Sequence, residues 1–245
     1  MRGLQLSIDA LPVVGAGDIP MGVRVTLAAL VGAVFWNFLT WHYGLPSSSF
    51  LYRKVIAELA AAGIDRVIVD PGLSINYRSG VGYGRSFRNA PNTAARGNAE
   101  YQDVLAGAHY LQVHANVDAA RIGIWGLSYG GLLTSQALAR NSDIFVAGAD
   151  LAGVHLYGPS LDSTNVSYTS SSISQIDKWK SPVFLVHGDD DRNVSFSQTV
   201  GLVQLLRARG IYHELVVIPD DVHESLIHKN WVYTFGRIGE FLKRF

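Results

Sequence analysis

Glycines bracket a serine where a strand-like run meets a helix-like one: Gly126-Leu127-Ser128-Tyr129-Gly130-Gly131 follows Arg121-Ile122-Gly123-Ile124-Trp125 and leads into Leu132 to Arg140. A chain that leaves a strand and enters a helix in one tight step crowds its own side chains. Gly at the positions two before and two after the serine removes Cβ atoms that would collide there. The Ser128 Oγ is then expected to stand clear at the carboxyl end of a sheet. The N–H of Tyr129, at the start of the helix, points toward any oxyanion formed beside it. Alone, the pattern fits a tight turn with a solvated serine equally well, so the residues downstream decide.

Downstream, Pro182-Val183-Phe184-Leu185-Val186-His187-Gly188 reads as a buried strand opening onto Asp189-Asp190-Asp191-Arg192-Asn193-Val194. His213-Glu214-Leu215-Val216-Val217-Ile218 reads as a further strand, followed by Pro219-Asp220-Asp221-Val222-His223-Glu224. An acid and then a histidine thus sit just past the carboxyl ends of strands, the edge where catalytic groups gather in open α/β sheets. The chain order of serine, acid and histidine is the one that a strand–serine–helix elbow requires.

Together with Asn76-Tyr77-Arg78-Ser79-Gly80-Val81-Gly82-Tyr83-Gly84, these segments resemble the catalytic domain of the prolyl oligopeptidase family of serine peptidases. The resemblance is strongest over 76–245, and it implies an α/β-hydrolase fold, a mostly parallel central sheet with helices on both faces. A single catalytic domain over 1–245 is expected, with 1–75 atypical. Position by position, the resemblance makes Ser128 the nucleophile, Asp191 the orienting acid and His223 the base, although spacing alone also permits Asp190. The chemistry needs those types. A serine hydroxyl is a poor nucleophile until an imidazole accepts its proton, and the imidazole needs a carboxylate to fix its tautomer. Tyr129 supplies the oxyanion N–H. The resemblance also places Asn193 near a bound peptide's backbone, and Val154, Tyr157 and Val194 with Tyr129 around the pocket for the residue before the scissile bond. Their apolar character suits an uncharged side chain, while Val154 and Val194 also read as plain core.

Of the eight histidines, His42, His109, His114, His155, His213 and His228 lie in runs without a base-like partner motif, and His187 reads as a packed residue ending its strand. His187 with the three aspartates could ligate a metal, but no His-x-x-x-His spacing accompanies it, so neither a metal nor any other cofactor is expected. Gly80 to Gly84 follows a strand-like run yet lacks the spacing and opening helix of a dinucleotide fingerprint; it reads as a turn bordering the active-site face.

With 245 residues, 48% of them hydrophobic, the chain can bury one large core. Twenty basic and twenty acidic residues cancel, which argues against a nucleic-acid partner. There is no cysteine, hence no disulfide framework and no thiol catalysis. The start makes a poor secretory signal, which favours the cytoplasm. Val25 to Trp41 carries no charge, but its polar interruptions suit buried elements better than a membrane span. Trp231 to Phe235 suits either the core or the face of a homo-oligomer.

Strand and helix patterns alternate. Arg66 to Val69, Arg121 to Trp125, Phe145 to Ala149, Pro182 to His187 and Glu214 to Ile218 read as strands. Phe50 to Ala62, Glu100 to Val113, Leu132 to Arg140, Ser197 to Arg209 and Trp231 to Phe245 read as helices. The first third departs from the family pattern. His42-Tyr43-Gly44-Leu45-Pro46 stands where the family carries a His-Gly-Gly-Pro-like oxyanion loop, and the β-propeller that normally precedes the domain is absent from the sequence. The expected activity is hydrolysis of a peptide substrate through an acyl-enzyme. A small-molecule esterase on the same triad and a catalytically impaired fragment of a larger peptidase stay open.

Overall fold

The computed structural model describes residues 75–113, 117–225 and 227–245. The stretch Val25 to Trp41, the oxyanion-loop match His42 to Pro46, the helix from Phe50, the strand from Arg66 and His114 lie outside the described residues. In chain order the helices are α1 (Arg85–Arg88), α2 (Ala99–Gln112), α3 (Tyr129–Arg140), α4 (Val166–Thr169), α5 (Ser197–Ala208) and α6 (His228–Leu242). The strands are β1 (Ile122–Leu127), β2 (Phe145–Leu151), β3 (Val183–Gly188) and β4 (His213–Ile218), and 3₁₀ turns occupy Ala94–Arg96 and Ser172–Lys178.

Among the described residues four strands pair in parallel in the order β1-β2-β3-β4. Successive side chains of a strand point to opposite faces, so a sheet covered on both sides needs apolar residues at every position. β3 is buried at all six residues, and its first four, Val183 to Val186, are apolar. Val183 and Leu185 pack on one face with Leu133 and Leu138 of α3 and Leu202 and Leu206 of α5. Phe184 and Val186 pack on the other with Ile238 and Phe241 of α6. The expected parallel sheet with helices on both faces is therefore present. Contrary to the expectation that a strand precedes the Gly80 to Gly84 loop, there is none from residue 75 to Gly80, and a four-residue helix, α1, follows Gly84.

β1 and β2 run two residues further toward the site than the apolar pattern suggested, to Leu127 and Leu151. Helix α3 begins at Tyr129, three residues before the apolar run at Leu132, because Gly130 and Gly131 continue the helix despite their low propensity. Every residue from Gly131 to Ala139 is buried, as befits a helix enclosed on all sides. Helix α6 likewise starts early, at His228. Its aromatic stripe divides: Trp231 stacks on Phe235, whose ring meets Trp125 of β1 edge-on at 5.6 Å, while Val232 and Tyr233 face outward. Among the described residues no helix is long and apolar enough to cross a membrane.

Candidate active site

Ser128 is the single residue between β1 and α3. Its φ of 59° and ψ of −113° turn the backbone sharply, and its N–H donates to the Leu151 carbonyl at the end of β2, 2.8 Å away. A serine preceding a helix ordinarily caps it with its hydroxyl. Here the left-handed φ swings the side chain off the helix end, no capping bond forms, and Oγ is left for another partner.

The two motif glycines do different work. A Cβ on Gly126 would stand 2.4 Å from the Gly130 carbonyl carbon, so the expected collision is real at that position. A Cβ on Gly130 would meet nothing within 4 Å, which corrects the reading that both glycines relieve crowding. The second tight position is Gly131, whose Cβ would fall 2.4 Å from the Asp150 Oδ1 and 2.8 Å from the Gly153 Cα, because α3 leaves the elbow against the loop after β2.

His223 lies in the loop between β4 and α6. Its Nε2 is 2.7 Å from the Ser128 Oγ and its Nδ1 2.6 Å from the Asp191 Oδ2. Three segments far apart in sequence thus meet in one hydrogen-bonded chain. The His223 loop is held by its own anchors: Asn230 Nδ2 donates to Asp221 Oδ2 at 3.0 Å, the Trp231 indole N–H to the Ser225 carbonyl at 2.7 Å, and the Asp190 N–H to the Asp221 carbonyl at 3.1 Å.

Of the three adjacent aspartates, Asp191 is the one that faces His223. Asp189 accepts from the Asp220 N–H, and Asp190 pairs with Arg192 at the surface. Burial alone would push the Asp191 carboxyl up. Hydrogen bonds from His223 and from the amides of Val194 and Asn193 together outweigh it and hold the group below the ordinary carboxylate range.

His187, read as a packed strand end, is fully buried and also contacts Asp191. Its Nε2 lies 3.0 Å from Asp191 Oδ2 and 2.9 Å from the Val194 carbonyl, and its Nδ1 2.7 Å from the Thr199 Oγ1. His155, read as having no base-like partner, pairs through Nε2 with the buried Asp150 at 2.8 Å and through Nδ1 with the Gln198 carbonyl. Both histidines carried a usable signal, four and five residues from an aspartate beside a strand's carboxyl end.

The expected pocket residues are spread more widely. Tyr129 stacks on Tyr77 at 5.7 Å. Burial pushes the Tyr129 hydroxyl up, reinforced by the nearby Tyr157 hydroxyl and Glu100 carboxylate, and burial takes Tyr157 up to about 12. Tyr129 and Tyr157 are thus neighbours. Glu100, fully buried and not singled out from the sequence, accepts from the Ser79 hydroxyl and the Ala94 N–H. Val154 is half-buried in the segment that carries Tyr157. Asn193 is exposed and Val194 buried, and both donate backbone N–H groups to Asp191 Oδ1. The N–H of Tyr129, first residue of α3, belongs to the helix end that lacks intrahelical acceptors.

Comparison with known proteins bears on this geometry. The model of the prolyl oligopeptidase family matches residues 72–158 and 155–245. The chain belongs to the prolyl oligopeptidase family. Within it, the chain is 27% identical over 238 residues to acylamino-acid-releasing enzyme 2 of Oryza sativa subsp. japonica, covering 85% of this chain and 30% of that protein. It is 34% identical over 181 residues to a probable dipeptidyl peptidase 4 of Aspergillus flavus, covering 66% of this chain and 23% of that protein. Among solved structures, dipeptidyl peptidase 4 of Porphyromonas gingivalis superposes with a TM-score of 0.59 at 26% identity, over 69% of this chain and 26% of that one. The chain therefore spans between 23% and 30% of the length of these family members. Its fold is that of the family's α/β-hydrolase domain.

Proposed function

We propose that this chain is a serine-type peptidase that cleaves peptide bonds through an acyl-enzyme intermediate on Ser128. The observation that carries the reading is the hydrogen-bonded chain from the Ser128 Oγ through His223 to Asp191, with contacts of 2.7 and 2.6 Å. Family membership supports the substrate class, since the relatives are named as peptidases or acylamino-acid-releasing enzymes.

In the proposed mechanism His223 Nε2 takes the Ser128 proton as Oγ attacks the peptide carbonyl carbon, and Asp191 stabilises the imidazolium that forms. The carbonyl π pair moves onto oxygen, and the Tyr129 N–H at the start of α3 stabilises that oxyanion. Collapse breaks the C–N bond, and His223 returns the proton to the leaving amine. Water then attacks the acyl-enzyme by the same steps, releasing the acid and restoring Ser128. Tyr129 and Tyr157, with Val154 in the same loop as Tyr157, form the proposed wall for the side chain before the scissile bond, with Asn193 beside the substrate backbone. Residues 1–245 act in this reading as one catalytic domain.

The test is labelling of the full chain with a fluorophosphonate beside Ser128→Ala and His223→Ala. Rapid labelling that disappears in both variants is the expected result, followed by faster turnover of peptide amides than of simple esters relative to their uncatalysed rates. A folded chain that takes no label would overturn the proposal.

A further inference from the structure

The Asp191 carboxylate receives four donors. Oδ1 accepts the amides of Asn193 and Val194 at 2.8 and 2.9 Å, and Oδ2 accepts His223 Nδ1 at 2.6 Å and is met by His187 Nε2 at 3.0 Å. The two imidazoles therefore converge on one oxygen from different strand ends, His187 from the penultimate position of β3 and His223 from the loop after β4.

The protonation of His187 follows from its surroundings. Its Nε2 faces a carboxylate and the Val194 carbonyl, both acceptors only, so that nitrogen carries the proton; Nδ1 is left to accept from the Thr199 hydroxyl. The ring is fully buried and braced edge-on by Phe196 at 5.5 Å.

We propose that His187 is a positioning residue that sets the proton affinity of His223 through the oxygen they share. The inference rests on the assignment of His223 as the general base. A carboxylate stabilises the imidazolium in proportion to the negative charge it presents. A second donor on the same oxygen offsets part of that charge, so His223 binds its proton less tightly and gives it up more readily to a leaving amine. Without His187, Oδ2 would serve His223 alone and hold its proton more strongly. The other charged groups around this pair are engaged elsewhere: Asp190 with Arg192, Asp189 with the Asp220 amide, Asp221 with Asn230, and Asp150 with His155. Glu224 follows His223 in the chain, and its charge is common to every variant compared.

The test is the titration of the His223 ring by nuclear magnetic resonance in the full chain, in wild type, His187→Leu and His187→Gln, with fluorophosphonate labelling of the same samples. The leucine variant has no donor, and its His223 is expected to titrate about one pH unit higher, a tenfold gain in proton affinity. The glutamine variant keeps an N–H near Oδ2 and is expected to return most of that shift, which a purely space-filling role would not produce. Equal titration in all three chains would overturn the proposal. Should the leucine variant not fold, the wild-type ring decides: a proton on Nε2 of His187 supports the inference, and one on Nδ1 with a bare Nε2 overturns it. A chain whose His223 shifts as expected while Ser128 takes no label would uphold the tuning by His187 and sink the peptidase reading instead.

Discussion

A Cβ on Gly188 would stand 2.3 Å from the carbonyl oxygen of Asp221 and 2.7 Å from its carbonyl carbon. The last residue of β3 and the loop that carries His223 are therefore in backbone-to-backbone contact, two residues from the imidazole. Backbone cannot rotate aside as a flexible side chain can, so any side chain at position 188 must push the His223 loop away from Ser128.

Gly188→Ala is accordingly expected to act on the site more than on the fold. A displacement of about 1 Å between reacting groups costs on the order of a hundredfold in rate. Fluorophosphonate labelling of Ser128 should slow by roughly that factor while the far-ultraviolet circular dichroism stays that of wild type. Unchanged labelling would show that the loop position does not depend on this contact.

The elbow makes a sharper contrast between adjacent glycines. Gly130 belongs to the sequence motif but has open space at its Cβ position, whereas Gly131 would meet the Asp150 carboxylate at 2.4 Å and the Gly153 backbone at 2.8 Å. Gly130→Ala should leave stability unchanged or raise it by up to about 1 kcal/mol, the helix-propensity difference between the two residues. Gly131→Ala should lower it by about 2 kcal/mol or more through overpacking. Chemical denaturation of both variants checks the pair, and equal effects would contradict the packing described for α3.

The parallel sheet was legible because β2 and β3 are buried almost throughout and β1 is apolar along its length, so that each reads as a largely apolar run, and the elbow was legible because few residue types fit it. The order of Ser128, Asp191 and His223 along the chain carried the candidate site. What periodicity could not carry was the pairing of side chains across elements. His187 looked like a core residue because it is one; that its ring also reaches Asp191 depends on the turn from Gly188 to Asp191, which no hydrophobic pattern encodes. The same holds for His155, which folds back from the loop after β2 onto Asp150 of that strand, and for Glu100, a charged residue buried on α2 by hydrogen bonds from the loop at Ser79 and Ala94. The early start of α3 escaped notice because glycines mark a break in sequence but were absorbed into the helix here.

Asp191 makes stability depend on acid pH with a definite sign. Its folded proton affinity is depressed relative to the unfolded chain, where an aspartate titrates near about 3.9. The stabilisation is thus fully present above about pH 4 and is lost as pH falls through the lower, folded value. Asp191→Asn removes the titrating group and sets an amide N–H against the donors of His187 and His223. The variant should be the less stable chain at neutral pH, and its deficit should narrow as pH falls below about 4. Denaturant unfolding from pH 7 to pH 2 measures both, and a constant deficit would mean that Asp191 is not held as the anion.

Tyr157 supplies the opposite window. Its hydroxyl is buried, and Tyr129 is close enough to act on its ionisation. Burial raises the folded value to about 12 from an ordinary 10.0. The neutral phenol is therefore favoured in the folded chain: its contribution is intact below about pH 10 and is lost as pH rises from there through the folded value. Tyr157→Phe should change stability little at pH 7, since the ring keeps nearly the same shape and volume. Between pH 10 and pH 12 the variant should gain on wild type by up to about 2 kcal/mol, because it no longer carries a group that ionises more easily when unfolded. Alkaline unfolding curves of the two chains give the comparison directly. Parallel curves across that range would mean that the Tyr157 hydroxyl reaches solvent.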